Sequence, residues 1–262
     1  MEIGDIISTA FKYPLNDKDN FVYVLLLFIL VGIPIILFST LITAFIFAGS
    51  GAHVSTLMAQ LTGVAGIISL VLLLIFLLIA PGYFISVMRE GINQTGVIPK
   101  IDIGNNILNT LKLIVIDFVY YIVPGAIAFI LALVFGLLAG GVTSSSSAIF
   151  GVLGIVLSIV IFIIYFIFTL LNTVAKLRFA KTDSMSEAFS FSEVFEDLKQ
   201  IGILKLLVTI ILVDIIIAVF TFIAVFILLI PILGAIIVAL ILAPFLALFD
   251  YYALGLLYSD VA

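Results

Sequence analysis

Residues 201–229 read IGILKLLVTIILVDIIIAVFTFIAVFILL, and their only charged side chains are Lys205 and Asp214. About 20 consecutive apolar residues are enough for a helix to cross the hydrocarbon core of a bilayer. An ordinary soluble domain has about 25% charged residues, whereas this 262-residue chain has 10% charged and 65% hydrophobic residues. We therefore interpret the stretch as a membrane crossing.

Other stretches of the chain share this apolar character and length. The predicted crossings are Phe21 to Ala48, Leu57 to Val87, Ile107 to Gly140, Ala148 to Val174, Ile201 to Leu229 and Ile232 to Leu257. Most exceed the minimum length, so tilt or projection beyond the bilayer is expected. The first crossing is too long for a signal-peptide core, and no cleavage is expected. These features predict an all-α, polytopic transmembrane helix bundle that forms one integral membrane domain over residues 1–262.

All ten Lys and Arg residues can be placed on one side of the membrane. They fall in the N-terminal segment and in or directly beside the second and fourth connections, whereas the first, third and fifth connections have none. Cytoplasmic segments of membrane proteins carry the excess of Lys and Arg. This distribution predicts a multi-pass protein of the cytoplasmic membrane with both termini in the cytoplasm.

A short amphipathic segment precedes each pair of crossings on the cytoplasmic side. Apolar residues recur at helical spacing in residues 3–11, 103–111 and 188–201. We expect three interfacial helices, the third opening with Ser184 and Glu187 in capping-box spacing. Local likeness between the segments favours three repeats of surface helix plus hairpin. The predicted repeat units are 1–93, 97–180 and 184–262.

The polar face of the third segment is acidic. Its charged residues are Glu193, Glu196, Asp197 and Lys199. Helices that bind anionic lipid are usually basic, so two alternatives remain for this face. It docks either on the protein's own basic residues in 176–181 or on a basic cytoplasmic partner.

Four groups of motifs resemble those of a known family. They are Ile3-Gly4-Asp5-Ile6-Ile7 with Lys12-Tyr13-Pro14-Leu15; Gly82-Tyr83 with Arg89 and Ile98-Pro99-Lys100-Ile101-Asp102; Ala188-Phe189-Ser190-Phe191-Ser192-Glu193 with Ile201-Gly202; and Ala243-Pro244 with Leu254 to Tyr258. The chain resembles the membrane-protein family catalogued as domain of unknown function 4013. The resemblance implies an integral protein of an archaeal cytoplasmic membrane and carries over no catalytic or ligand-binding residue. The chain lacks the Trp that relatives tend to have beside the surface helices, so interfacial anchoring falls to Tyr and Phe.

Small residues four positions apart mark two crossings. They are Ala128, Ala132, Gly136 and Gly140 in the third crossing, and Ala235, Ala239, Ala243 and Ala247 in the sixth. Helices associate in membranes by close packing of small residues. We expect both seams to pack inside the molecule, with homodimerisation as the alternative.

Three carboxylates fall within predicted crossings, where on insertion scales each costs about 2.5 to 3.5 kcal/mol at the bilayer centre and almost always faces protein or water. Neighbouring tyrosines can donate hydrogen bonds to them, and Arg89 or Lys205 can supply countercharge. The candidate polar cluster comprises Asp117, Asp214, Asp250, Tyr120, Tyr121, Tyr251 and Arg89. It is either a structural polar layer that fixes helix register or a proton or cation site open to the cytoplasm.

Catalytic chemistry is not expected from this chain. It has no Cys, and its one His, His53, lies in an outer loop with no residue of metal-ligand type nearby. Sequence motifs of metalloproteases and serine hydrolases are also missing, so we expect no catalytic residue, cofactor or metal. The net charge of −5 argues against nucleic acid as a partner.

The leading functional hypothesis is a structural or accessory membrane protein. Its expected partners are membrane lipid and a cytoplasmic or membrane protein. The alternative is a small transporter or channel for a cation, a proton or a lipid-like solute that uses the intramembrane carboxylates.

The predicted orientation can be tested with single cysteines, because the chain has no Cys background. Ser50→Cys and Ser145→Cys should react with an impermeant thiol reagent added outside intact cells, whereas Ser184→Cys should not. Labelling of Ser184→Cys in sealed cells would reverse the assigned orientation.

Overall fold

The computed structural model describes the backbone of residues 1–48, 52–139, 147–230 and 232–261, and the side chains of 1–37, 63–138, 150–230 and 232–261. The side chain of His53 and all of Gly140 lie outside these ranges. The described residues contain helices and no strand. In chain order the helices are α1 (Ile3–Asn16), α2 (Lys18–Ala48), α3 (Ala52–Asn93), α4 (Ile103–Ala139), α5 (Ser147–Thr182), α6 (Met185–Ala188), α7 (Phe191–Ile201), α8 (Ile203–Ile227), α9 (Leu233–Ile237) and α10 (Ala243–Tyr258), with a π-helical turn, Val238–Leu242, joining the last two.

Among the described residues, six segments are long and apolar enough to cross a membrane. They are Lys18–Leu37, Gly63–Asn93, Ile103–Leu138, Phe150–Thr182, Ile203–Ile227 and Leu233–Tyr258. Each corresponds to a predicted crossing, which confirms the all-α polytopic fold. The helices α3 and α5 extend beyond the predicted crossing ends at Val87 and Val174. Those ends were set by a change in composition, whereas a helix continues as long as its backbone hydrogen bonds do.

The second predicted interfacial helix is not a separate element, and this expectation was wrong. Residues 103–111 form the first turns of α4, which continues unbroken into the crossing. By contrast, α1 is separated from α2 at Asp17, and α7 from α8 at Gly202, where a φ of 87° favours glycine. No Gly or Pro interrupts the segment around Leu111, so the helix propagates through it.

The amphipathic helix α1 packs its apolar face on protein. Ile6 and Ala10 are fully buried. The Phe11 ring lies 5.2 Å from the Phe245 ring and 5.8 Å from the Phe249 ring, both on α10. Aromatic pairs at such centroid distances contribute beyond simple burial. Thus α1 is part of the bundle's folded core.

The described chain divides into two compact units. The first comprises Met1–Leu111 with Gln200–Ala262, and the second comprises Lys112–Lys199. The division falls inside α4 and does not follow the boundaries of the proposed repeat units, so the threefold repeat stays a prediction.

The helices of the first unit touch through glycines. A Cβ added at Gly91 of α3 would lie 2.6 Å from the Tyr252 carbonyl oxygen and 3.0 Å from the Gly255 Cα, both on α10. A Cβ at Gly82 would overlap the Asn106 carbonyl of α4. Backbones approach this closely only where no side chain intervenes. These glycines form contact points that the alanine-based seam prediction did not include.

The predicted seam of the sixth crossing is buried over its first half. Ala235 and Ala239 are each 2% exposed, and a Cβ at Gly32 of α2 would lie 3.4 Å from the Ala239 Cβ. The π-helical turn follows, and it shifts the phase of the four-residue spacing. Ala243 and Ala247 are accordingly only partly buried.

Within the second unit, most of the predicted seam of the third crossing is exposed. Ala132 and Gly136 are exposed, and no atom lies within 4 Å of a Cβ placed on Gly136. Ala128 is partly buried. Ala132 borders a groove of about 710 Å³ whose other side is formed by α5 residues, among them Gly151 and Gly154.

Substituting the α3 glycines tests the close approach to α4. Alanine is usually favoured over glycine in a helix interior by about 1 kcal/mol, so Gly66→Ala, with open space around its Cβ, should not lower the thermal stability of the detergent-solubilised protein. Gly82→Ala should lower the free energy of unfolding by about 1 to 3 kcal/mol, because the added methyl group forces α3 and α4 apart. Equal or higher stability of Gly82→Ala would contradict the close contact.

Candidate functional site

Asp117 of α4 has its countercharge within the second unit. The Lys176 Nζ lies 2.6 Å from an Asp117 carboxylate oxygen, and the Asn172 side-chain amide donates a hydrogen bond to the same oxygen at 2.7 Å. Asn172 and Lys176 lie one turn apart on α5, so both reach one point on the facing helix. The charge partner of Asp117 in the second unit is therefore Lys176, a cation that the sequence analysis did not suggest.

The tyrosines that follow Asp117 have other surroundings. The fully buried Tyr120 hydroxyl donates to the Ala188 carbonyl at 2.8 Å, and its ring lies 4.8 Å from that of Phe191. Tyr120 thus holds α6 and the start of α7 against α4. Tyr121 is exposed.

Asp214 and Asp250, both in the first unit, interact electrostatically with each other. Asp214 of α8 is exposed, and Asp250 of α10 is partly buried. Within the described residues, neither carboxylate has an ion pair or a side-chain hydrogen bond. Asp214 and Asp250 are therefore the carboxylates of the predicted cluster that remain candidates for an ion site.

The remaining members of the predicted cluster lie in the first unit. Tyr251 stacks its ring on Phe84 of α3, with centroids 4.4 Å apart and planes 5° apart. Arg89 is partly buried near the end of α3. The Tyr251 ring therefore serves the packing of α10 on α3.

A cluster that sequence reasoning did not identify holds the α3–α4 connection, residues 94–102. The Tyr13 hydroxyl donates to the Val97 carbonyl at 2.9 Å, and the Tyr83 hydroxyl donates to the Pro99 carbonyl at 3.0 Å. Between these two points, the Ile98 backbone N–H donates to an Asp17 carboxylate oxygen at 3.0 Å. Three consecutive residues of the connection are thus bound by side chains. We call Tyr13, Asp17, Tyr83 and Tyr252 the tyrosine clamp.

Tyr252 completes the clamp from α10. Its ring stacks on Tyr13 with centroids 3.7 Å apart and planes 6° apart, and its hydroxyl forms a hydrogen bond with the Gly96 backbone. Gly96 has a φ of 68°, a conformation that favours glycine. The connection is therefore fixed by α1, α3 and α10 together.

Burial and hydrogen bonding set the ionisation of the clamp. Burial raises the pKa of Tyr13 well above its usual value, so the phenol stays protonated as a donor. Desolvation opposes the charge of Asp17, but hydrogen bonds from Asn20 and Ile98 outweigh it and lower the pKa of that carboxyl. The clamp thus combines neutral donors with one charged acceptor.

The family-like motifs of the sequence meet at this clamp. Tyr13 belongs to the Lys12-Tyr13-Pro14-Leu15 motif, Tyr83 to the Gly82-Tyr83 motif, and the bound carbonyl of Pro99 to the Ile98–Asp102 motif. Their separation along the chain concealed the contact. Only the resemblance to a family marked all three, without indicating that they touch.

The acidic residues of α6 and α7 converge on Arg178 of α5. Arg178 lies 2.6 Å from a Glu187 oxygen and 2.9 Å from an Asp197 oxygen, and it also pairs with Glu193. This arrangement agrees with the first predicted alternative, docking on the protein's own basic residues. The bond from Arg178 lowers the pKa of Glu187, whereas hydrogen bonding to Glu187 raises the pKa of Glu193.

Comparison with known proteins identifies a family. No curated protein and no solved structure matches the chain. The family described as "Protein of unknown function (DUF4013)" matches residues 65–229, which is more than half of the chain. The matched range contains Tyr83, the α3–α4 connection and the Arg178 cluster. The chain therefore belongs to the DUF4013 family, as its motifs predicted.

Proposed function

We propose that this protein is a structural or accessory component of the cytoplasmic membrane, without enzymatic activity, that organises lipid or a partner complex. The observation that supports the proposal is that polar side chains at the Lys- and Arg-rich ends of the helices bind other parts of the protein. In the first unit the tyrosine clamp binds the α3–α4 connection. In the second, Arg178 binds the carboxylates of α6 and α7. Because these bonds hold the α3–α4 connection and the helices α6 and α7 in place, the surface that they form keeps a fixed shape.

The orientation follows from charge. Cytoplasmic segments hold the excess of Lys and Arg, which supports cytoplasmic termini and a cytoplasmic position for the α3–α4 connection and for α6 and α7. The pair of Asp117 with Lys176 supports a structural role for that carboxylate, because charged residues in membrane crossings usually pair with one another.

A second candidate function rests on Asp214 and Asp250. Their proximity and their lack of an ion pair among the described residues suit a shared proton or a bound cation. On this alternative, the protein is a small transporter or channel for a proton, a cation or a lipid-like solute.

Reconstitution separates the two candidates. Purified protein is reconstituted in sealed liposomes that contain pH- and cation-sensitive dyes. A proton or cation gradient is then imposed across the liposome membrane. The structural role predicts fluxes equal to those of protein-free liposomes. Asp214→Asn and the control Asp117→Asn should behave identically, since neither carboxylate carries an ion across.

A reproducible flux would contradict the structural role. The transporter follows if Asp214→Asn abolishes that flux while Asp117→Asn, whose carboxylate is already paired with Lys176, retains it. Unchanged thermal unfolding of Asp214→Asn in detergent would confirm that loss of flux is not loss of fold.

A further inference from the structure

The amphipathic helix α7 has two apolar rows in different surroundings. Val194 is fully buried and Leu198 is 3% exposed, so this row packs on protein. Phe191 and Phe195, one turn apart, are 41% and 45% exposed. Large apolar side chains at i and i+4 form one continuous ridge on a helix. The Phe191–Phe195 ridge is therefore partly exposed, and one side of the Phe191 ring packs on Tyr120.

The charges of α7 favour contact with a lipid surface on the ridge side. The carboxylates of Glu193 and Asp197 are bound to Arg178, so two of the three acidic side chains of α7 are engaged by the protein, and Glu196 is exposed. Lys199 remains beside the ridge, with its Nζ 4.5 Å from the centre of the Phe195 ring. With its ammonium over the ring, Lys199 places a positive charge at the level of the ridge, where it can meet lipid phosphates.

The chain path places α7 at the membrane surface. It ends at Ile201, and the crossing helix α8 begins at Ile203 after the break at Gly202. Upstream, the crossing helix α5 ends at Thr182. A helix bounded so closely by two crossings lies at the level where they leave the bilayer. Its start is fixed by Tyr120, which contacts both Ala188 and Phe191.

The exposed ridge is too small for a stable protein interface. A phenylalanine offers about 150 to 250 Å², so the exposed parts of Phe191 and Phe195 amount to roughly 170 Å² in total. A stable protein contact needs about 800 Å² from each partner. Two aromatic side chains are enough, however, for the interfacial insertion of a helix that is already tethered by crossings.

We propose that α7 is a lipid-contact helix, in which the Phe191–Phe195 ridge inserts at the boundary of headgroups and acyl chains and Lys199 lies among the headgroup phosphates. Glu193 and Asp197 are bound to Arg178 within the protein. This contact gives the lipid-organising role a defined surface, and it holds whether or not the protein moves ions. A transport result therefore does not decide it.

Single tryptophans test this contact directly, because the chain contains no Trp. Phe195→Trp and, as a second reporter, Phe191→Trp are reconstituted in phosphatidylcholine and phosphatidylglycerol vesicles with brominated acyl chains. Gln200→Trp is the matched control, since it is exposed on α7 about 140° from Phe195. Phe162→Trp, at a 68% exposed position in the α5 crossing, is the lipid-facing standard.

The ridge variants should be quenched by brominated lipid at least twofold more strongly than Gln200→Trp, approaching Phe162→Trp, and less strongly by aqueous iodide. Iodide quenching of both ridge variants equal to that of Gln200→Trp would place the ridge in water and overturn the proposal. Protection from both quenchers would also overturn it, because a protein would then cover the ridge.

Discussion

The close approach of α3 and α10 at Gly91 and Gly255 is the constraint on which the first unit depends. Lipid tails are as apolar as the helices, so burial alone gives these helices little reason to associate. Contact instead requires backbones near enough for dispersion forces to act over many atoms. Any side chain at Gly255 would overlap the Met88 carbonyl. Glycine at this position therefore decides where α10 lies on α3.

The tyrosine clamp follows from that approach. The Tyr252 carbonyl oxygen lies 2.6 Å from the position that a Gly91 Cβ would take, and the Tyr252 ring stacks on Tyr13. Tyr83 follows Gly82, the second contact glycine of α3, and binds the Pro99 carbonyl. Contacts between the long apolar helices thus position the hydroxyls that bind the α3–α4 connection. A surface held in this way suits a protein that presents a fixed shape to lipid or to a partner.

Composition is sufficient to predict the crossings because a bilayer demands long apolar helices whatever their neighbours. It does not predict contacts. Asp117 pairs with Lys176, a cation on another crossing, because the pairing depends on how α4 and α5 face each other. The four-residue spacing of Ala235 to Ala247 assumes a regular helix, and the π-helical turn changes that phase. Residues 103–111 are amphipathic, yet they continue unbroken into α4. Amphipathicity therefore did not indicate where a surface helix would end.

The central claim, that glycine contacts hold the clamp in place, is tested most directly by a double-mutant cycle on thermal unfolding. Tyr13→Phe removes the hydrogen bond to Val97, and Gly255→Ala displaces α10 and with it Tyr252. If the clamp depends on the α3–α10 approach, Tyr13→Phe should cost less in the Gly255→Ala background, with a coupling of about 0.5 to 3 kcal/mol. Effects that add to within about 0.5 kcal/mol would contradict the account.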